Sequence, residues 1–317
     1  QVRRHLDHVD HVAGRFRPGR VRKITDDRQT VITPDLAQDA EPFIHTDAME
    51  RRRRRPAVLV VTGFIDPGNI ETVADLADPA DSRWRDALAG ADALVHFATR
   101  NPMPDCTWEE AAESVAMTAS LLDGALDSGI RRFVFASSNH AMGGYKDSPL
   151  AETIGPGQLA TDLPPAPGTR VTRDGVETRP VAYGSSKLYG EALAGAKAAA
   201  SGGRLSAVSV RIGWCQAAEN SPATINALAV PLAPEEAAIA NKARPRDLAW
   251  FLGMWLSNRD FCAVMERAIR SGTEGWPAAG IVVNGMSANT DTLWDLDWGR
   301  KLIGYEPRDD WKRVLGS

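Results

Sequence analysis

The segment Tyr183-Gly-Ser-Ser-Lys187 opens a stretch of helical periodicity, which sets a phenol and an ammonium four residues apart on one helix face. A phenol with a pKa of about 10 is a poor base near neutrality. A cation one turn away favours the phenolate and brings it toward a working range for proton transfer. The pattern alone is common, so its weight comes from context. Forty-five residues before Tyr183, the apolar run Phe133–Ala136 ends in Ser137-Ser138-Asn139-His140. A serine hydroxyl at that strand end would share a substrate hydroxyl or carbonyl with Tyr183. The plain alternative is a serine-rich turn followed by an ordinary surface helix.

These groups need a frame to hold them. Apolar runs predict strands at Ala57–Val61, Ala93–Phe97, Phe133–Ala136, Ala207–Ile212 and Ile281–Asn284. Helical periodicity fills 107–128, 183–200, 260–271 and 293–303. Strands separated by helix-length segments predict βαβ units, hence an α/β fold with a doubly wound, mostly parallel sheet. No internal repeat interrupts the pattern. Two long interruptions do, at 145–180, rich in proline and glycine, and at 216–257, first Ala/Pro-rich and then aromatic with Trp250, Phe251 and Trp255. Both follow strand ends, where open parallel sheets bind ligands, so they are expected to cover a substrate.

The chain has 317 residues with 37 Lys/Arg and 41 Asp/Glu, a net charge of −4. That balance argues against a general nucleic-acid or anionic-membrane binder. Residues 1–56 stand apart. They carry 13 basic against 9 acidic residues, four of the six histidines and only two of the 27 glycines, Gly14 and Gly19. The remainder, 57–317, is net acidic and is expected to form the core. Within the basic segment, Arg51–Arg55 reads as a solvated linker rather than a phosphate-binding patch. His5, His8 and His11 at three-residue spacing suit a surface helix better than a metal site, because no second ligand cluster accompanies them, and no metal is expected. Cys106, Cys215 and Cys262 are too scattered for a disulfide framework or a zinc site, which predicts a reducing compartment. No apolar run approaches a membrane span, and no signal pattern follows Gln1. The expectation is a cytoplasmic protein with a full-sized core.

Taken in order, Leu94-Val-His96-Phe-Ala98, Phe133-Val-Phe-Ala-Ser-Ser138, Tyr183-x-x-x-Lys187 and Val210-Arg211-Ile-Gly213 resemble the extended short-chain dehydrogenase/reductases, the NAD-dependent epimerase/dehydratase family. Ser138-Asn-His140, Arg211-Ile-Gly-Trp-Cys215, Trp255-Leu-Ser-x-x-Asp260-Phe261, Gly285-Met-Ser-Ala-Asn289-Thr290 and Leu302-Ile-Gly-Tyr-Glu-Pro307 resemble its uronate dehydrogenases more narrowly. The resemblance spans about residues 71–310. It implies a Rossmann-like core with substrate-binding parts at 145–180, 216–257 and 285–317. It also implies NAD or NADP as cofactor, a small sugar or sugar acid as substrate, and a homodimer. Tyr183 would be the acid/base, Lys187 would lower its pKa and hold the nicotinamide ribose, and Ser138 would orient the reacting hydroxyl. Asp75 and Leu76 would sit beside the adenine. His96, Phe97, Ala98 and Thr99 would line the cofactor after the fourth strand, with Ile212 also in contact. Asn139, His140 and Arg211 would face the substrate, Arg211 as a carboxylate partner. Arg211 equally suits a structural ion pair, and His140 a hydrogen-bonded turn.

The departures from the family are informative. Its glycine-rich turn, which lets a pyrophosphate approach a helix N-terminus, has no counterpart. Val61-Thr-Gly63 imitates its start, but Asp75 follows too soon for the intervening helices and strands. The turn is therefore expected to precede Gln1, with Gln1–His8 the rear of the first helix and Val9–Ala13 the second strand. Arg15 and Arg17 after that strand would tilt the preference toward NADP. Ser114 stands where the family usually has asparagine. Three functions fit: an NAD(P)-dependent oxidoreductase of a sugar hydroxyl, in its most specific form uronate to lactone; a nucleotide-sugar epimerase or dehydratase; or a non-catalytic dinucleotide- or partner-binding relative.

Overall fold

The computed structural model describes residues 20–24, 58–62, 72–76, 78, 80–102, 105–173, 175–216 and 218–316. The readings for Gln1–His8, Val9–Ala13, Arg15, Arg17, the histidine triplet, Arg51–Arg55 and the glycines after Thr62 lie outside them. Nine strands are described: β1 Arg20–Ile24, β2 Val58–Thr62, β3 Thr72–Val73, β4 Ala93–His96, β5 Arg132–Ser138, β6 Val171–Arg173, β7 Val176–Thr178, β8 Ser206–Ile212 and β9 Gly280–Gly285. Seven form one sheet in the order β3-β1-β2-β4-β5-β8-β9, and β6 and β7 form a separate hairpin. β2, β4, β5, β8 and β9 run parallel. β1 is antiparallel to both neighbours, β2 and β3. The predicted sheet is present, with each of the five strands displaced, lengthened or shortened by one or two residues, and with β1 and β3 added at one side.

Eight helices are described: α1 Arg83–Ala87, α2 Trp108–Asp127, α3 Val181–Ala200, α4 Pro234–Ala243, α5 Pro245–Gly253, α6 Asn258–Arg270, α7 Asp297–Ile303 and α8 Trp311–Leu315. Parallel neighbours need crossovers, and α2, α3 and α6 provide those between β4, β5, β8 and β9. The sheet's two faces follow from the period of two along each strand. Phe133, Phe135 and Ala207 point to one side, into a core with Leu121, Leu122 and Ala125 of α2 and Ala194 and Ala198 of α3. Val134, Val208 and Val210 point to the other, against Val264, Met265 and Ala268 of α6. Three layers result, helix on sheet on helix.

Local chemistry starts the helices. α2 begins in a capping box: Thr107 Oγ1 accepts from Glu110 N at 3.2 Å while Glu110 Oε2 accepts from Thr107 N at 3.0 Å. Ser257 caps α6 through Asp260 N. α3 sits close to the sheet because Gly190 faces Phe135, where a Cβ would collide with the ring.

The two insertions are more ordered than their composition predicts. After β5 the chain forms a 3-10 turn at Asn139–Lys146, another at Leu150–Thr153, and then the β6–β7 hairpin. The second insertion contains α4 and α5, whose Trp250 and Phe251 join Trp255, Trp294, Met142 and Leu159 in a third core beyond the sheet ends.

Candidate active site

Ser138 ends β5, and Tyr183 lies in the first turn of α3, the helix of the next crossover. The 3-10 turn after Ser138 and the start of α3 are pressed together at Gly184, where a Cβ would stand 2.6 Å from His140 O. Both hydroxyls are buried, at 5% and 9% exposure. The Ser138 hydroxyl acts on the Tyr183 phenol, favouring its ionised form, and its Oγ accepts from His140 N at 3.2 Å. Burial pushes the phenol up to about 12, the Ser138 hydroxyl opposes that, and Cys106 adds to it. An uncharged phenol is therefore the resting form, and the site needs a cation to make it a base.

Lys187 is that cation, one turn along α3 and buried. Its Nζ donates to Ala136 O at 2.8 Å and lies 5.5 Å from the Tyr183 ring centroid and 5.1 Å from that of Phe135. Burial lowers its pKa to about 8, with Glu191 opposing. An ammonium carries three donors, and Ala136 O takes one of them, so the donor set suits a diol such as a ribose. The two hydroxyls and this ammonium are a combination that fits a nicotinamide ribose beside a reacting carbinol.

Asn139 and His140 line the same corner. Asn139 Nδ2 donates to Ile212 O at 3.1 Å, tying the ends of β5 and β8, and its Oδ1 is buried without a partner among the described residues. The His140 ring meets that of Tyr183 edge-on, with centroids 5.6 Å apart, and its Nδ1 accepts from Thr169 N at 3.3 Å. Burial holds its pKa down, near 4.

Three expected positions turn out otherwise. Arg211 is not a free carboxylate partner. Its Nε and Nη2 both bind Glu191, at 2.9 Å each, with the two side chains only 4% and 7% exposed. Its charge is met inside the protein, so the structural ion pair is the arrangement found. The His96 ring does not line a cofactor either. It is fully enclosed between β4 and α2, with Nε2 on Thr118 Oγ1 at 2.9 Å and its face near Phe133 and Phe135. The Leu76 side chain is buried in the core with Trp84 and Leu88.

The remaining residues follow the strand ends. Asp75 follows β3, and its N–H donates to Asp81 Oδ2 at 2.7 Å. Ala98 is buried, whereas Phe97, Thr99 and Ile212 are half-buried. Phe97 stacks on Phe261 of α6, with centroids 6.0 Å apart. Ser114 anchors the loop after β4: its Oγ accepts from Arg100 N at 2.9 Å and lies 3.2 Å from Thr99 Oγ1. Two buried charges escaped the sequence reading. Glu191 repeats the Tyr–Lys spacing one turn further, a signal that was available. Lys146, bound to Asp247 at 2.6 Å across 101 residues, offered no local signal.

The sequence matches the model of the NAD dependent epimerase/dehydratase family over residues 45–222. It is 32% identical over 247 residues to the L-arabinose 1-dehydrogenase (NAD(P)(+)) of Haloferax volcanii, covering 74% of this chain and 83% of that protein. It is 30% identical over 235 residues to the uronate dehydrogenase of Agrobacterium fabrum, covering 74% and 68%. Among solved structures, the glucuronic acid dehydrogenase of Chromohalobacter salexigens superimposes with a TM-score of 0.52 at 24% identity, over 80% of this chain and 75% of that one. That last likeness is one of fold.

Proposed function

Since the chain belongs to the NAD dependent epimerase/dehydratase family, we propose that it is an NAD(P)-dependent dehydrogenase of a sugar hydroxyl, with Tyr183 as the acid/base. The observation that carries this reading is the buried Ser138–Tyr183 hydroxyl pair with Lys187 one turn away, at the C-terminal ends of parallel strands. Lys187 would hold the nicotinamide ribose, Ile212 and residues 97–99 would flank the cofactor, and Asp75 with the main chain of Leu76 would meet its adenine end. When bound, the nicotinamide supplies the hydride acceptor. Ser138 holds the reacting oxygen, Tyr183 removes its proton, and the Lys187 ammonium favours the phenolate that does so. Asn139 and His140 would grip the neighbouring hydroxyls of the sugar, a role that the unpartnered Asn139 Oδ1 supports. With Arg211 neutralised by Glu191, a free carboxylate on the substrate is not a requirement of the site, so neutral aldoses and uronates both belong in the assay.

Reduction of NAD or NADP with L-arabinose and with a free uronate tests the reading. The expected result is steady release of reduced cofactor with at least one of them. Turnover of a nucleotide sugar without net reduction would replace this reading with the epimerase one. Absence of NAD and NADP binding would end both. Tyr183→Phe is expected to lower kcat on the order of 10²–10⁴-fold while leaving cofactor affinity nearly unchanged. Equal losses in binding and turnover would remove Tyr183 from that role.

The same reading extends to assembly and place. The outer faces of α2 and α3 expose Trp108 and Tyr189, at 61% and 65%, among Ala112, Ala116, Ala192 and Ala196. This face supports a homodimer. No helix among the described residues is long and apolar enough to cross a membrane, and the three cysteines are free, which supports the cytoplasm.

A further inference from the structure

Glu191 has no part in the chemistry above, yet it stands third on the face that carries it. Tyr183, Lys187 and Glu191 recur every four residues along α3, and all three are buried. Arg211 of β8 grips both carboxylate oxygens of Glu191, and Ser137 of β5 donates to Oε1 at 2.5 Å. Ser137 immediately precedes Ser138, and Arg211 immediately precedes Ile212. One knot therefore joins the helix that bears Tyr183 and Lys187 to the two strand ends that complete the site. The third nitrogen of Arg211, Nη1, is buried without a partner among the described residues, and Glu191 is the carboxylate that meets the other two.

We propose that Glu191 is the positioning residue of this site: clamped by Arg211 and Ser137, it fixes the depth of α3 against β5 and β8 and supplies the negative charge that keeps Lys187 an ammonium. The proposal rests on the reading of Tyr183 and Lys187 given above. The groups facing Lys187 can be named element by element. From α3 come Tyr183 and Glu191, from β4 comes His96, and from β5 the Ala136 carbonyl and the Phe135 ring, while Arg211 of β8 joins the set through Glu191. His96 is kept neutral by burial, and Arg211 is turned to Glu191. Glu191 is thus the anion of the set, and it opposes the burial that pulls the Lys187 proton off.

The test follows the Lys187 titration in the free protein by NMR of isotope-labelled lysine side chains, assigned by loss of the signal in Lys187→Arg. Glu191→Gln is expected to move the midpoint down by about one pH unit, and Arg211→Met, which leaves Glu191 without its counter-charge, to move it up. The alkaline limb of kcat should shift in the same directions. Loss of packing alone would lower activity in both variants without displacing the midpoints in opposite senses. Should Glu191→Gln fail to fold, Glu191→Asp retains the charge and is expected to keep the wild-type midpoint, while Arg211→Met still carries the upward shift. Midpoints within about 0.3 pH units of wild type in Arg211→Met, or in a folded Glu191→Gln, would overturn the proposal. The titration needs no sugar. A protein that reduces neither cofactor but shows the signed shifts would lose the dehydrogenase reading and keep this one.

Discussion

His140 enters the site already fixed as one tautomer. Its Nδ1 accepts the Thr169 N–H, so the ring proton resides on Nε2, and burial keeps the ring neutral with a pKa near 4. It is a hydrogen-bond donor of constant charge across the whole working range. His140→Phe, which keeps the ring but removes the donor, should raise KM for the sugar by about tenfold, the equivalent of one hydrogen bond. The pH profile should not move; a displaced acid limb would show that His140 titrates in the reaction. Ser138→Ala should reduce kcat on the order of 10²-fold with little change in cofactor affinity, read from initial rates and a binding titration. At this scale the sequence was legible where function is local. Tyr183 and Lys187 share a helix face by spacing alone, and Ser138-Asn-His140 is continuous. Arg211 was not, because its partner lies 20 residues earlier and meets it only when α3 is laid across β8. His96 was misread for a similar reason. A strand's alternation tells that one side faces a helix, but not that Thr118 would be there to bind the ring.

The two insertions are joined by charge as well as by apolar contact. Lys146, from the turn after β5, is 1% exposed and bonded to Asp247 of α5 at 2.6 Å. Arg170, just before β6, reaches both Asp147 and Asp247, and Arg244 donates to Thr172 of β6 at 3.0 Å. The insertions 145–180 and 216–257 therefore lock to one another as well as to the sheet. Breaking such a pair leaves a charge without its partner in a poorly solvated place. Asp247→Asn should cost about 3 kcal/mol in urea unfolding, and Lys146→Met added to it should restore most of that. A smaller loss in the double variant than in the single is the measurable sign of the buried pair. Composition marked these segments as long loops, the first by its Pro and Gly and the second by its Ala and Pro. It could not show that Lys146 and Asp247, 101 residues apart, would make them one body.

For the whole molecule, acid is the sensitive direction. His96 and His140 are held near 3 and 4 by burial, well below the 6.5 of a solvated imidazole. The unfolded chain takes up these two protons as pH falls below about 6.5, while the folded one refuses them until near 4, so unfolding is favoured as the pH drops through that window. Each histidine shifted this far contributes on the order of 3 kcal/mol once the window is crossed. Urea midpoints should therefore fall between pH 7 and pH 5, and His96→Gln should flatten that slope. Assembly is tested at the same scale: Tyr189→Arg in the exposed α2–α3 face should turn a dimer into a monomer by light scattering, with the sugar assay retained per chain. The mostly parallel sheet was legible from alternating strands and helices, because parallel neighbours need helix-length crossovers. The antiparallel β1 was not, since its pairing with β2 and β3 is set by neighbours far along the chain.

The β6–β7 hairpin gives the molecule a handle. Its two sides begin and end in arginines, Arg170 and Arg179, that both clasp Asp147, while its outer end at Gly175 and Val176 stands in solvent. A reporter group spliced in at that end would extend into solvent rather than into the core. A dye there, paired with one on the exposed side of α3, would report any opening of the Arg170–Asp147–Arg179 clasp as a change in energy transfer. The same position would accept a foreign loop or affinity tag, because Gly175 and Val176 form an exposed turn between two short strands.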